Sequence, residues 1–206
     1  MPCESSSSSQ PVSRSGDPLQ LTVEPATADR WADLEKVFGE RGACGGCWCM
    51  HWRLARKDWE AGKGSKNKRA LKKIVTAGDA PGILGYVDGE PMAWCAVAPR
   101  ADYPVLDRSR VLKPVDDRPV WSVSCLFVLK SYRRRGVSVR MLQEAARFAA
   151  SRGADIVEGY PIEPTMRKTP DAFIWLGTPS AFLKAGFEEV ARRSKSRPIM
   201  RIDLRK

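Results

Sequence analysis

The sequence predicts an α/β fold: a mixed, mostly antiparallel twisted sheet with a central parallel βαβ pair, flanked by helices. Three observations carry it. Asp88-Gly89 separates two apolar runs, Ile83–Val87 and Pro91–Val97, as a hairpin turn does. The run Val120–Leu129 is apolar on both faces, as in a strand buried in mid-sheet, and an amphipathic helix and a further strand, Asp155–Tyr160, follow it. A strand, helix and strand of these lengths form a crossover unit, so the two strands run parallel.

The remaining elements follow from local pattern. Residues 1–18 are rich in Ser and poor in apolar residues. They cannot bury enough to offset their ordering entropy, which predicts a disordered tail and a single domain over residues 19–206. Leu19–Val23 alternates like a strand. Thr27 is placed to cap a helix from Ala28 to Gly39, with Trp31, Leu34, Val37 and Phe38 on one face. A second helix spans about Lys66–Ala77, with Leu71, Ile74 and Val75 inward. Pro99–Arg118, rich in Pro and charge, reads as a long loop. Gly136 opens a helix with an apolar stripe of Met141, Leu142, Ala145, Phe148 and Ala149, and Gly153 ends it. Pro161–Gly177 is a loop, Pro179–Ala185 a short helix stopped at Gly186, and Phe187–Ala191 and Ile199–Leu204 a final strand pair.

Hydrophobic residues make up 43% of the 206, enough for a sizeable core. No apolar run approaches the roughly 20 residues that a membrane helix needs. No apolar stretch follows a basic start at the N-terminus, so a cytoplasmic protein is expected, with no membrane partner, as a monomer or homodimer. The net charge of +11 admits nucleic acid, anionic lipid or an anionic cofactor. No aromatic-rich basic strand or DNA-reading motif is present, so nucleic acid is not an expected partner. Of the basic clusters, Arg53–Lys73 and Arg192–Lys206 read as solvated surface as readily as binding surface. The cluster Lys130–Arg140 differs, because it sits at a strand-to-helix junction.

A helix N-terminus presents unpaired N–H groups and partial positive charge, and phosphates are its usual guests. Here Arg133, Arg134 and Arg135 precede Gly136, which lets the backbone approach a ligand closely, and Val137 and Ser138 follow. The order Arg133-x-x-Gly136-x-Ser138, between a buried strand and an amphipathic helix, resembles the acetyl-CoA loop of the GNAT superfamily of N-acetyltransferases, Gln/Arg-x-x-Gly-x-Gly/Ala. Ala181-Phe-Leu-Lys-Ala-Gly-Phe187 is similar to that superfamily's later helix, which ends in Gly-Phe.

The resemblance implies acetyl-CoA as cosubstrate, its pyrophosphate on residues Arg133 to Ser138. It implies that the backbone of Leu126, Phe127 and Val128 holds the pantetheine arm. The thioester would lie between the Val120–Leu129 and Asp155–Tyr160 strands, with a primary amine attacking it directly. The acceptor amine is not specified. Two positions depart from the family pattern. Ser138 replaces Gly or Ala, a mild change. Phe182 falls where many members carry a tyrosine that protonates the leaving CoA thiolate. Glu158 is then a candidate general base, or a carboxylate paired with an arginine. Tyr160 is a candidate acid, or a strand-end aromatic. A non-catalytic acyl-CoA-binding module, or a cysteine-based metal or redox sensor, is the alternative function.

Cys44-Gly-Gly-Cys47-Trp-Cys49-Met-His51 is the most unusual stretch. A C-x-x-C pair can hold zinc, with Cys49 or His51 among four ligands. The same residues can form a redox pair. A third reading makes the segment a loop over the acceptor site, with Trp48 and Trp52 lining it. Cys95 and Cys125, inside apolar runs, read as small buried hydrophobes.

Overall fold

The computed structural model describes residues 19–163 and 175–205. The expected Ser-rich tail, residues 1–18, lies outside them. Seven strands form one sheet in the order β1-β2-β3-β4-β5-β7-β6. They are β1 (Leu21–Pro25), β2 (Gly82–Val87), β3 (Glu90–Pro99), β4 (Trp121–Val128), β5 (Ile156–Gly159), β6 (Glu188–Arg192) and β7 (Pro198–Asp203). Every neighbouring pair is antiparallel except β4–β5. The mixed sheet and its single parallel pair are as the sequence predicts, with strand ends displaced by one or two residues.

Among the described residues six helices flank the sheet: α1 (Trp31–Phe38), α2 (Arg56–Ala61), α3 (Ser65–Thr76), α4 (Pro104–Asp107), α5 (Val137–Ser151) and α6 (Pro179–Lys184). Strand alternation sends one set of side chains to each face. Trp94 and Ala96 of β3 and Leu84 and Tyr86 of β2 meet Trp31, Leu34, Val37 and Phe38 of α1 and Leu71 and Val75 of α3. Met92, Cys95 and Val97 meet Met141, Leu142, Ala145 and Ala149 of α5, with Phe182 of α6. Each fully buried aliphatic side chain contributes about 1.5–3 kcal/mol. Cys95 and Cys125 lie in these two cores, as expected of small hydrophobes. No helix among the described residues is long and apolar enough to cross a membrane.

Three local expectations change. Residues Ala28–Arg30 form a 3-10 turn rather than the start of α1, and Thr27 caps no backbone amide. Its hydroxyl accepts from the Arg30 guanidinium instead (2.9 Å). Residues 99–118 are not an open loop. They hold a 3-10 turn and α4, and bury Tyr103, Leu106 and Leu112 in a third cluster with Trp52, Tyr160 and Ile199. The segment before α3 carries α2, which buries none of its own residues and so shows no apolar period.

Candidate active site

β4 and β5 pair over only three positions, Trp121–Val157, Ser122–Glu158 and Val123–Gly159. Beyond them β4 runs on to Val128 paired with β3 but no longer with β5, and the Leu126 amide donates to the Trp175 carbonyl (2.7 Å). The parted strands leave a cavity of about 590 Å³. Leu126, Phe127 and Val128 form one wall. Arg133, Arg134, Gly136, Val137 and Ser138 form the second, and Trp175, Gly177, Thr178 and Ala181 the third. The residues expected at a CoA site thus gather around one cavity, with one exception: Arg135 is exposed and lies outside the lining.

The turn into α5 is shaped for an anion. Arg134 (φ +59°) and Gly136 (φ +76°) are both left-handed, which swings the chain abruptly into the helix. No side chain caps α5, and among the described residues the N–H groups of Gly136, Val137 and Ser138 have no backbone acceptor. Unpaired N–H groups at a helix start require a partner, and an anion also meets the helix dipole there. The Arg133 Nε donates to the Val128 carbonyl (2.8 Å), which fixes the turn to the end of β4.

Glu158 and Tyr160 do not line this cavity. Glu158 is fully buried, accepting from Arg100 Nη1 (2.9 Å) and Arg201 Nε (2.7 Å). The Tyr160 hydroxyl accepts from Arg100 Nη1 (2.7 Å) and shares a hydrogen bond with Ser122 Oγ (2.7 Å). Burial, then the adjacent Glu158 carboxylate, push the Tyr160 phenol well above its usual range. The ion-pair alternative for Glu158 is the one that the geometry favours. Arg100 also binds Asp107 and the Leu112 carbonyl, so the same cluster fastens residues 100–112 to the sheet.

Phe182 is fully buried, edge-on to Phe187 (5.0 Å). Its ring fills the space of an absent side chain: a Cβ on Gly159 would lie 2.1 Å from it. Gly159→Ala is therefore expected to destabilise the fold by about 1–3 kcal/mol, by the cost of overpacking. Phe182→Tyr pushes a hydroxyl into the same enclosed space. It is expected to lower the melting temperature without raising kcat, as calorimetry and turnover assays together will read.

The cysteine segment does not gather its candidate ligands Cys44, Cys47, Cys49 and His51 into one set. Among the described residues no group of three or more His, Cys, Asp or Glu is placed to hold an ion. The backbone explains this. Gly42, Ala43, Gly45, Gly46, Trp48 and Cys49 all have φ between +46° and +75°, turning successive side chains apart. Cys44 is exposed on the cavity rim, Cys47 is half-buried, and Cys49 is buried, accepting from the Trp94 indole (3.0 Å). Burial, then the Cys49 charge, push the Cys47 thiol up to about 11, so it is protonated at neutral pH, when zinc binding and thiol exchange need a thiolate. Left-handed backbone at Trp48 and Cys49 costs about 1–2 kcal/mol per residue. Burial of Trp48 against Trp31 (6.0 Å) and Phe38 (5.2 Å) opposes that cost. Trp48 is thus a core residue, and it does not line the cavity.

His51 stands elsewhere. It is half-buried, edge-on to Trp52 (4.7 Å), Trp59 (4.6 Å) and Trp175 (5.4 Å). Trp175 also lines the cavity, so the imidazole lies one side chain behind its wall. Burial, then Arg197, Arg56 and Lys63, lower the His51 pKa below its ordinary value and favour the neutral imidazole at pH 7. The sequence offered one signal for this cluster, the only histidine flanked by tryptophan, but not the partner Trp175.

No curated protein matches the chain. Solved structures of similar fold include a GNAT-family acetyltransferase of Listeria monocytogenes (TM-score 0.56, 9% identity, covering 94% of this chain and 99% of that one). A GNAT-family acetyltransferase of Streptococcus agalactiae has a TM-score of 0.52 at 14% identity, covering 91% and 98%. An aminoglycoside N-acetyltransferase in complex with CoA has 0.53 at 16%, covering 87% and 95%. Identities this low establish likeness of fold alone. The sequence profile of the Acetyltransferase (GNAT) family matches residues 48–160, more than half the chain, from the cysteine segment through the βαβ unit, and the chain belongs to that family.

Proposed function

We propose that the chain transfers an acetyl group from acetyl-CoA to a primary amine by direct attack on the thioester. The observation that carries this is the single cavity joining the parted edge of β4 to the unpaired amides at the start of α5, with Arg133 and Arg134 beside them. The amides and guanidinium groups suit a pyrophosphate, and the β4 backbone suits an amide-bearing pantetheine arm. The structural neighbour in complex with CoA, an N-acetyltransferase, supports the assignment. The amine nitrogen bonds to the acetyl carbon, its proton passes to a base, and the C–S bond breaks. His51, behind the Trp175 wall of the cavity and favoured as the neutral imidazole, is the base in this reading. A thiol has a pKa of about 8.5, so CoA leaves as the thiolate and takes its proton from water. Phe182 then needs no replacement.

Isothermal titration with acetyl-CoA tests the binding step. A folded protein that takes up none overturns the proposal. His51→Gln is expected to lower kcat by about 10²–10⁴-fold with acetyl-CoA affinity unchanged. Because the neutral form is required and burial lowers the pKa, the fall in wild-type kcat/KM on the acid side is expected below about pH 6.5. A non-catalytic acyl-CoA-binding role is the second reading, favoured by Phe182 alone. Binding of acetyl-CoA without acetyl transfer to any amine would support it.

A further inference from the structure

Arg197 immediately precedes β7 and is half-buried. Among the described residues its guanidinium has no ion pair and no side-chain hydrogen bond, and burial alone acts on its charge. The other buried or half-buried arginines there, Arg30, Arg53, Arg100, Arg133, Arg193 and Arg201, each donate to an acid or a carbonyl. Glu163, whose amide bonds the Ser196 carbonyl next to Arg197, gives its carboxylate to Arg192. A desolvated cation without a counter-charge is unfavourable unless a ligand supplies one.

Arg197 lies within electrostatic range of His51, at the start of the strand whose Ile199 packs on Trp52. Its charge reaches the His51 imidazole ahead of Arg56 and Lys63, and no acid is among the groups acting there. Ile199, two residues on, packs with Trp52 and Leu176. Trp52 supplies an independent sign. It is 8% exposed, and its indole N–H is buried with no hydrogen-bond partner among the described residues. A buried donor in the cluster that Trp175 joins to the cavity, and a guanidinium nearby with no partner among the described residues, both ask for an acceptor-rich anionic group.

We infer that the acetyl acceptor is a small primary amine bearing its own carboxylate or phosphoryl group, the anion on Arg197 and the Trp52 indole N–H, the amine toward His51 and the Trp175 side of the cavity. Trp59 and Trp175 offer apolar area to its carbon skeleton. Arg197, Arg56 and Lys63 repel a polycationic amine, so the same groups select against a second class. This inference rests on the acetyltransferase reading.

The test uses the full chain, acetyl-CoA and matched amines: L-phenylalanine against 2-phenylethylamine, L-tryptophan against tryptamine, 2-aminoethylphosphonate against ethylamine, and spermidine, with free thiol as readout. The anionic member of a pair is expected to have a kcat/KM about 10- to 100-fold above its neutral partner, the range of one charge-assisted contact. The carboxylate and phosphonate arms show which anion is preferred. Arg197→Gln is expected to raise KM for that amine by a similar factor with kcat and acetyl-CoA affinity little changed, and Arg197→Lys to restore part of it. Preference for neutral amines or spermidine, acetylation of none of the anionic amines, or an unchanged KM in Arg197→Gln overturns the inference. Failure to bind acetyl-CoA instead removes the acetyltransferase reading, so the two failures are distinct.

Discussion

Glu158→Gln is expected to lower the melting temperature by about 6–20 °C, the equivalent of about 3–5 kcal/mol in a chain of this size. The carboxylate lies between two nearly buried guanidinium groups, Arg100 at 9% and Arg201 at 6% exposure. The glutamine has the shape but not the charge, and one of its two ends turns a donor toward a donor. Asp107 on Arg100 and Asp116 on Arg201 keep part of the compensation, which favours the lower half of the range. With total stability of about 5–15 kcal/mol, a loss of this size is measurable without abolishing the fold. The variant also decides a question of chemistry. Below its melting temperature it should turn over within a few-fold of wild type. A loss of about 10²-fold or more in kcat, with the protein folded, would make Glu158 the general base and sink its assignment as a structural ion pair.

Charge reversal at Arg133 and Arg134 together is expected to weaken acetyl-CoA binding by about 10²–10⁴-fold, from the loss of two charge-assisted contacts of about 1.5–3 kcal/mol each. The effect should shrink as salt rises, because both groups border solvent. Arg135→Glu is the control. It lies outside the cavity lining and should act only at longer range, with a several-fold loss that salt removes. Equal losses for Arg134→Glu and Arg135→Glu in titration calorimetry would count against the observed turn. Arg133 carries a second effect, since its Nε holds the Val128 carbonyl, and Arg133→Lys should recover charge but not that bond.

The parts of the fold legible in the sequence are those with local causes. Asp88-Gly89, the two-faced apolar run of β4 and the stripe of α5 each specify their element within a dozen residues. The turn into α5 was legible for the same reason, down to Gly136, whose left-handed φ a side chain resists. What could not be read depends on partners far away in the chain. Residues 99–118 carry Pro and charge like any loop, yet Arg100 reaches Glu158, and Arg201 from the last strand reaches Asp116, so they are held in order. Pattern admitted the cysteines as a ligand set, beside a redox pair and a loop over the acceptor site, because spacing is local. The six left-handed residues that turn them apart are not encoded by spacing at all. The His51 cluster needs Trp175 and Arg197, and nothing near His51 announces either.

Trp175 meets two demands with one residue. Its carbonyl occupies the Leu126 amide on the open edge of β4, and its indole packs against His51 and Trp52. A cosubstrate arm that takes over that amide must displace the carbonyl, and the indole travels with it. The cosubstrate arm and the acceptor side of the site therefore share a mechanical part, and kinetics will carry its signature. Addition should be ordered, with the thioester first, and initial-velocity lines against the amine should intersect rather than run parallel.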